Sequence, residues 1–194
     1  MLLYFKNTIL KSWICYKKIM KYIIVGFIKC GQMSLRQKLI DEGHIVEKLE
    51  CVTSPLGPKM IEKNYPGYQV IILMRDPIKR MWSQYLYLKE KRLYTKTFEE
   101  YLEWFKPHHF WFNENPIYQS HYAEHLPRWE KMNPIIYHFE DLIKDPKFPH
   151  ENATKIKFKI SEEQQKLATE KLEKYIQICN GRLVTTAEIV MPKG

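Results

Sequence analysis

Long apolar runs, internal repeats, glycine-rich stretches and closely spaced cysteines are all missing from this 194-residue chain. The four cysteines, Cys15, Cys30, Cys51 and Cys179, are widely and irregularly spaced, which argues against a zinc ribbon and against a secreted disulfide scaffold. A reducing, cytoplasmic location is the simpler expectation. With only 7 glycines and 11 prolines, collagen-like and low-complexity architectures are excluded. In the opening stretch MLLYFKNTILKSWICYKKIMK, Lys6, Lys11, Lys17 and Lys18 interrupt every apolar run, so neither a membrane span nor a cleaved signal is expected there. Leu3, Ile9, Leu10, Trp13 and Ile14 recur at roughly helical spacing, so residues 1–21 read as an amphipathic segment. It would dock on the domain or make peripheral contact with a membrane surface.

What is present is a globular composition, 45% hydrophobic and 27% charged, of a length that fits one domain over residues 22–194. The net charge of +9 favours partners that carry phosphate, sulfate or acidic surface. Basic residues are spread along the chain, with no zinc finger and no RNA-recognition signature, so nucleic acid is not expected.

Periodicity predicts alternating strands and helices. Tyr22–Val25 is a short apolar strand, followed by the turn Gly26–Gly31 and a helix over Met33–Ile40. A second strand is expected from His44 to Leu49, then a short helix opened by Pro55 and Pro58 and closed by Pro66-Gly67. Val70–Met74 has the uninterrupted pattern of a buried strand, and Asp76-Pro77 caps a helix that runs to about Lys91. Helical stretches at Phe98–Phe105 and Tyr118–Met132, a strand at Ile135–Phe139 and a helix at Ser161–Ile178 complete the order. Asp145–Thr154 reads as a linker. The alternation implies an α/β fold, a three-layer parallel sheet flanked by helices, with ligands at the carboxyl ends of the strands.

Two places in this order carry chemistry. Gly26 and Gly31 reproduce the GxxxxG frame of a phosphate-binding loop, in which small residues let backbone N–H groups close on an anion. Gln32 and Met33 follow where a nucleoside-triphosphate loop continues with Lys and Ser or Thr, which argues against ATP or GTP hydrolysis. Lys29 inside the loop could reach a phosphate oxygen, and Ser34 could donate from the first helical turn. The second place is VIILMRDPIKRMWSQY, where Arg75 leaves the end of a buried strand and Ser83 lies two turns into the next helix. A forked guanidinium and a hydroxyl at this spacing can clamp a terminal phosphate.

Together these segments resemble the PAPS-dependent sulfotransferases. GFIKCGQMSL is similar to their 5′-phosphosulfate loop, commonly GFPKCGTTSL, and RDPIKRMWS to their 3′-phosphate motif, RDPxxRxxS. TFEEYLEW, YAEHLPRW, YHFEDLIKDP and, more weakly, KLEKYIQICNGRL extend the resemblance over most of residues 22–184. It implies a P-loop NTPase-like sulfotransferase fold and transfer of a sulfuryl group from PAPS, without metal, to a hydroxyl or amine. A carbohydrate, small molecule or protein could supply that acceptor group, a glycan among them. By the same resemblance Lys29, Cys30, Gly31, Gln32, Met33 and Ser34 would surround the 5′-phosphosulfate, and Arg75 and Ser83 would hold the 3′-phosphate, also in the product adenosine 3′,5′-bisphosphate. Lys29 would stabilise charge on the transferring group, and Glu50, with Glu47 second, is the candidate base. Departures lie in the loop: Gln32-Met33 replace two threonines, leaving an amide donor and a thioether without one, and Ile28 replaces a proline.

Two alternatives belong to other classes. His121, Glu124 and His125 fit HxxEH, the inverted zinc-protease pattern, which would make the chain a zinc hydrolase. A non-catalytic nucleotide- or polyanion-binding module is the other. His108 and His109 lie among aromatics, as a substrate-side loop or a packed cluster, and Asn152-Ala153-Thr154 fits a glycosylation sequon.

Overall fold

A computed structural model describes residues 18–103, 116–149 and 158–180. The expectations for residues 1–17, for His108 and His109 and for the 152–154 sequon lie outside the described residues.

Four parallel strands form one sheet: β1 (Lys21–Gly26), β2 (Ile45–Leu49), β3 (Gln69–Met74) and β4 (Ile135–His138), in spatial order β2-β1-β3-β4. Ile23, Ile24 and Val25 on β1, and Val70 to Met74 on β3, are all essentially inaccessible. Successive strand residues point to opposite faces, so unbroken burial means that both faces of the sheet are covered. The sheet is therefore the middle of three layers, an α/β architecture with flanking helices. In register, Val25 pairs with Leu49 and Gly26 with Leu73. The segments that leave the strands at Gly26, Leu49, Met74 and His138 thus emerge along one edge.

The helices are α1 (Gln32–Asp41), α2 (Gly57–Asn64), α3 (Pro77–Glu90), α4 (Phe98–Leu102), α5 (Pro116–Ser120), α6 (Tyr122–His125), α7 (Phe139–Leu142) and α8 (Glu162–Asn180). Local chemistry sets several of their ends. Asp76 caps α3 by accepting from the Lys79 N–H at 2.8 Å, with Pro77 in the first turn, and Thr97 and Glu100 close a capping box on α4. Ser161 and Gln164 exchange the same pair of bonds ahead of α8.

The expected helix over Tyr118–Met132 is instead three short pieces. His121, at ψ 73°, leaves the helical region and separates α5 from α6, and Leu126–Met132 continues as a 3-10 turn. Pro127 lacks the N–H that an α-helix needs there. Trp129 is drawn into the core, fully buried, with its indole N–H donating to the Val52 carbonyl at 3.0 Å. A Cβ on Gly57 would lie 2.8 Å from that ring, so glycine at the start of α2 is what lets Trp129 seat. The expected strand over Ile135–Phe139 stops at His138, because Phe139 opens α7. The expected linker over Asp145–Thr154 is anchored at its fourth residue, since Phe148 is buried against the core.

Trp129→Ala should lower unfolding stability by about 3–5 kcal/mol, since it opens a large cavity and leaves the Val52 carbonyl unpaired. Urea denaturation followed by far-UV circular dichroism checks this, and a loss below about 1 kcal/mol would mean that the 3-10 turn does not anchor the loop after β2.

Candidate functional site

The turn after β1 is held in a shape that leaves a helix end open. Lys29 has φ 68° and Gly31 φ 86°, both left-handed, and the Cys30 N–H donates to the Phe27 carbonyl at 3.3 Å. Gly31 then stands as the N-cap of α1 with no side-chain cap, and no acidic residue lies in the first turn. The first N–H groups of a helix have no partner within it and sit at the positive end of its dipole, which suits an anion. Glycine at 31 is required twice over. Its φ disfavours any side chain, and a Cβ there would lie 2.5 Å from the Phe139 ring.

Gln32, expected to offer its amide to a ligand, is turned inward in this structure. It is 5% exposed, and its Nε2 donates to the Phe27 carbonyl at 2.9 Å. The same nitrogen packs so close to Gly26 that a Cβ there would lie 2.6 Å away. Its Oε1 is buried without a hydrogen bond. The amide thus braces the loop from inside. Met33 is 62% exposed, and Ser34 is half-buried in the first turn of α1. Cys30 is fully buried, and desolvation above all pushes its thiol up to about 12. The thiol is therefore neutral near pH 7.

Two cations close over this turn. Arg75, one residue past β3, donates from Nη1 to the Lys29 carbonyl at 3.1 Å and lays its guanidinium 4.8 Å from the centroid of Phe139. Its Nε is buried with no partner. The Arg75 carbonyl is pinned by the Tyr122 hydroxyl at 2.7 Å, and the next N–H, of Asp76, donates to Glu140 at 3.1 Å. The Lys29 ammonium lies 4.4 Å from the centroid of Tyr87 on α3. Burial first, then the charge of Arg75, holds Lys29 below the usual lysine range, with Glu90 opposing. Ser83, half-buried, stands one turn before Tyr87 on the same helical face. Among the described residues no ion pair neutralises Lys29 or Arg75.

A third cation, Arg80 on α3, is fully buried beneath the turn. Its Nε and Nη2 donate to the Ser120 hydroxyl at 3.2 and 2.6 Å, and Nη2 also to the Pro116 carbonyl at 2.8 Å. Its Nη1 donates to Gln84 Oε1 at 2.8 Å, Gln119 Oε1 at 3.3 Å and the Ile28 carbonyl at 3.5 Å.

The two base candidates are placed differently. Glu50 lies one residue past the Val25–Leu49 pair, at the edge from which the turn emerges, and takes the Lys48 ammonium at 2.7 Å. Glu47 pairs in register with Ile23, in the middle of the strand, and is exposed. Glu50 is therefore the better placed of the two. The histidines of the HxxEH pattern do not share a helical face, because α6 begins at Tyr122 and His121 is its N-cap. His121 Nδ1 meets Glu124 Oε2 at 3.1 Å, and His125 Nε2 donates to the Tyr118 carbonyl at 2.9 Å. Desolvation holds His125 down at about 4, so its imidazole is neutral near pH 7. Among the described residues no three His, Cys, Asp or Glu side chains gather in a way that could hold a metal ion. No helix among them is long and apolar enough to cross a membrane.

Tyr122, Phe139 and Tyr87 were not singled out by sequence reasoning. Phe139 and Tyr122 lie inside YHFEDL and YAEHL, where periodicity marks them only as apolar positions. Their placement against Arg75 depends on pairing across 64 and 47 residues of chain, which local spacing does not encode.

Neither a protein-family model nor a curated protein sequence matches the chain at a significant level. A solved structure does: a sulfotransferase from Alicyclobacillus acidocaldarius, 15% identical, superposes with a TM-score of 0.59 over 86% of this chain and 98% of that one. At that identity the likeness shows the fold, which is the α/β sulfotransferase fold.

Two outcomes follow from the site. Because Lys29 is disfavoured as a cation in the free protein, an anion bound beside it should raise its pKa and draw in a proton at alkaline pH. Affinity for a phosphate-bearing ligand should therefore fall as pH rises through the lowered Lys29 value, and calorimetry in buffers of different ionisation enthalpy should register proton uptake. Zero uptake across the alkaline range would separate Lys29 from the bound anion. Gly31→Ala should destabilise the fold by about 1–3 kcal/mol through strain and overpacking against Phe139. A melt indistinguishable from wild type would show that the ring yields freely.

Proposed function

We propose that the protein is a sulfotransferase that uses PAPS as donor and transfers its sulfuryl group to a hydroxyl or amine. The observation that carries this reading is the pair of cations, Lys29 and Arg75, gathered about the turn that leads into an uncapped helix N-terminus, with no ion-pair partner among the described residues and with the Arg75 Nε left unbonded. Buried donors without acceptors, and like charges held together, fit a ligand that brings phosphate oxygens. The sulfotransferase fold and the two motifs supply the class of ligand.

In this reading the first N–H groups of α1, Ser34 and Lys29 bind the 5′-phosphosulfate, while Arg75 and Ser83 hold the 3′-phosphate. PAPS supplies an activated sulfuryl group. The acceptor oxygen or nitrogen forms a bond to sulfur as the bond from sulfur to the 5′-phosphate oxygen breaks, and the acceptor's proton passes to Glu50. That carboxylate must exchange its Lys48 ion pair for the acceptor, a surface pair worth little. Lys29 stabilises the charge that grows on the leaving phosphate, and its partial desolvation strengthens that effect. Gln32 acts behind the ligand by holding the Phe27 carbonyl. A cytoplasmic location, peripheral membrane contact through residues 1–21 and a single domain over 22–194 belong to the same reading, as does a glycan among the candidate acceptors.

Adenosine 3′,5′-bisphosphate at about a hundred times its dissociation constant should stabilise the fold by roughly 2.7 kcal/mol, and AMP at the same concentration by much less. Equal thermal shifts from both would remove the 3′-phosphate assignment. Arg75→Ala should weaken bisphosphate binding by about 2–5 kcal/mol. Lys29→Ala should cut single-turnover transfer from labelled PAPS by roughly 10²–10³ while weakening product binding far less. Equal losses in rate and product affinity would make Lys29 a ground-state ligand only.

A further inference from the structure

We propose that Arg80 is a specificity-determining residue that acts on the donor nucleotide without touching it, its unneutralised buried charge selecting ligands by the number of phosphate charges they carry. The inference rests on the donor reading given above and adds to it a residue outside the contact set.

Arg80 is completely inaccessible, and among the described residues every acceptor it meets is a neutral oxygen: a hydroxyl, two side-chain amides and two backbone carbonyls. A buried arginine ordinarily takes a carboxylate partner, because neutral dipoles satisfy its N–H groups yet leave the charge uncompensated. Glutamate has the shape of glutamine, and at position 84 it would keep the 2.8 Å bond to Nη1 while supplying the missing charge. Glutamine at both 84 and 119 leaves the cation without a counter-ion among the described residues. Two carboxylates at the head of α3 are otherwise engaged. Asp76 accepts from the Lys79 N–H as the cap of α3, and Glu140 accepts from the Asp76 N–H.

The charge also lies in the right place. Arg80 Nη1 reaches the carbonyl of Ile28, the residue before Lys29 in the turn, at 3.5 Å. The Cys30 thiol, in the same turn, feels Arg80 more strongly than it feels Arg75. With Lys29 and Arg75 above the turn and Arg80 below it, three cations flank one anion-binding loop, and only the upper two are placed to touch a ligand. The lower one acts through a medium of low dielectric, where a charge is screened far less than at the surface. Its effect grows with ligand charge, so it favours a bisphosphate over a monophosphate.

Gln84→Glu tests this by neutralising Arg80 in place. Calorimetry at one pH and salt concentration would compare adenosine 3′,5′-bisphosphate with AMP for wild type, Gln84→Glu and Arg80→Lys, alongside thermal melts. The proposal expects Gln84→Glu to melt no lower than wild type, yet to bind the bisphosphate roughly tenfold more weakly and AMP with a smaller loss. Arg80→Lys keeps the charge and loses the fork, so it should melt lower and keep the wild-type ratio of the two affinities within about threefold. A purely structural Arg80 predicts the reverse, with the ratio untouched by Gln84→Glu, and that result overturns the proposal. An equal loss of the ratio in Arg80→Lys also overturns it. Should Gln84→Glu not fold, Gln119→Glu places the same charge at the other amide and is read by the same criterion. Wild type that binds AMP as tightly as the bisphosphate would overturn the donor reading itself. Wild-type discrimination that survives neutralisation of Arg80 would overturn only this assignment.

Discussion

The bond from Arg75 to the carbonyl of Lys29 holds the site together, because it ties the exit of one central strand to the turn that leaves the other. β1 and β3 are neighbours in the sheet, so their carboxyl ends lie side by side, and the guanidinium spans the gap between them. Phe139 lies under Arg75 and against the backbone of Gly31, and the Tyr122 hydroxyl pins the carbonyl of Arg75. The side chain is thereby oriented by three elements, β3, α6 and α7. Such orientation is what a bidentate anion ligand needs, since a guanidinium recognises phosphate by geometry as well as by charge.

The same packing explains how the turn after β1 keeps its shape. Gln32 fills the interior of the turn and braces the Phe27 carbonyl. Gly26 has to be glycine because that amide leans on it, and Gly31 because Phe139 does. The loop therefore owes its conformation to side chains packed from both sides more than to hydroxyls within it. Its capacity for an anion then rests on the uncapped start of α1 and on the cations around it.

The elements that sequence reasoning placed well are those with strong local causes. The apolar runs of β1 and β3, the Asp76-Pro77 start of α3 and the glycine frame each announce themselves within a few residues. Lys29, Arg75 and Ser34 could be singled out from motif spacing, and the structure brings the first two into contact, whereas Glu50 was a candidate only from the resemblance and its place at the end of the second strand. Elsewhere tertiary packing overrode the local pattern. Tyr118–Met132 has helical spacing, yet Pro127 and the burial of Trp129 break it into pieces. The inward turn of Gln32 was not legible, because an amide beside a glycine loop reads as a ligand donor until the space at Gly26 is known. Nor was the neutral shell of Arg80, whose acceptors come from α3, α5 and the turn after β1.

A cluster of cations with no ion-pair partner among the described residues is unfavourable for the unliganded fold, and Lys29 is held toward its neutral form by burial first and by the charge of Arg75 second, with Glu90 opposing. The repulsion persists because each member is fixed by bonds that do not depend on its partners' charge: Arg75 by a carbonyl and an aromatic face, Arg80 by hydroxyl, amide and carbonyl oxygens, Lys29 by the face of Tyr87. Neutral anchoring of this kind has a chemical consequence. Had carboxylates supplied the anchors, an incoming phosphate would have to displace them and gain little. With dipoles and π-faces as anchors, the first anion to arrive meets a field already assembled and needs no reorganisation of the site, which is the condition under which electrostatic stabilisation lowers a barrier most effectively. The cost that burial imposes on these cations in the free protein and their pull on an anion thus share one electrostatic origin.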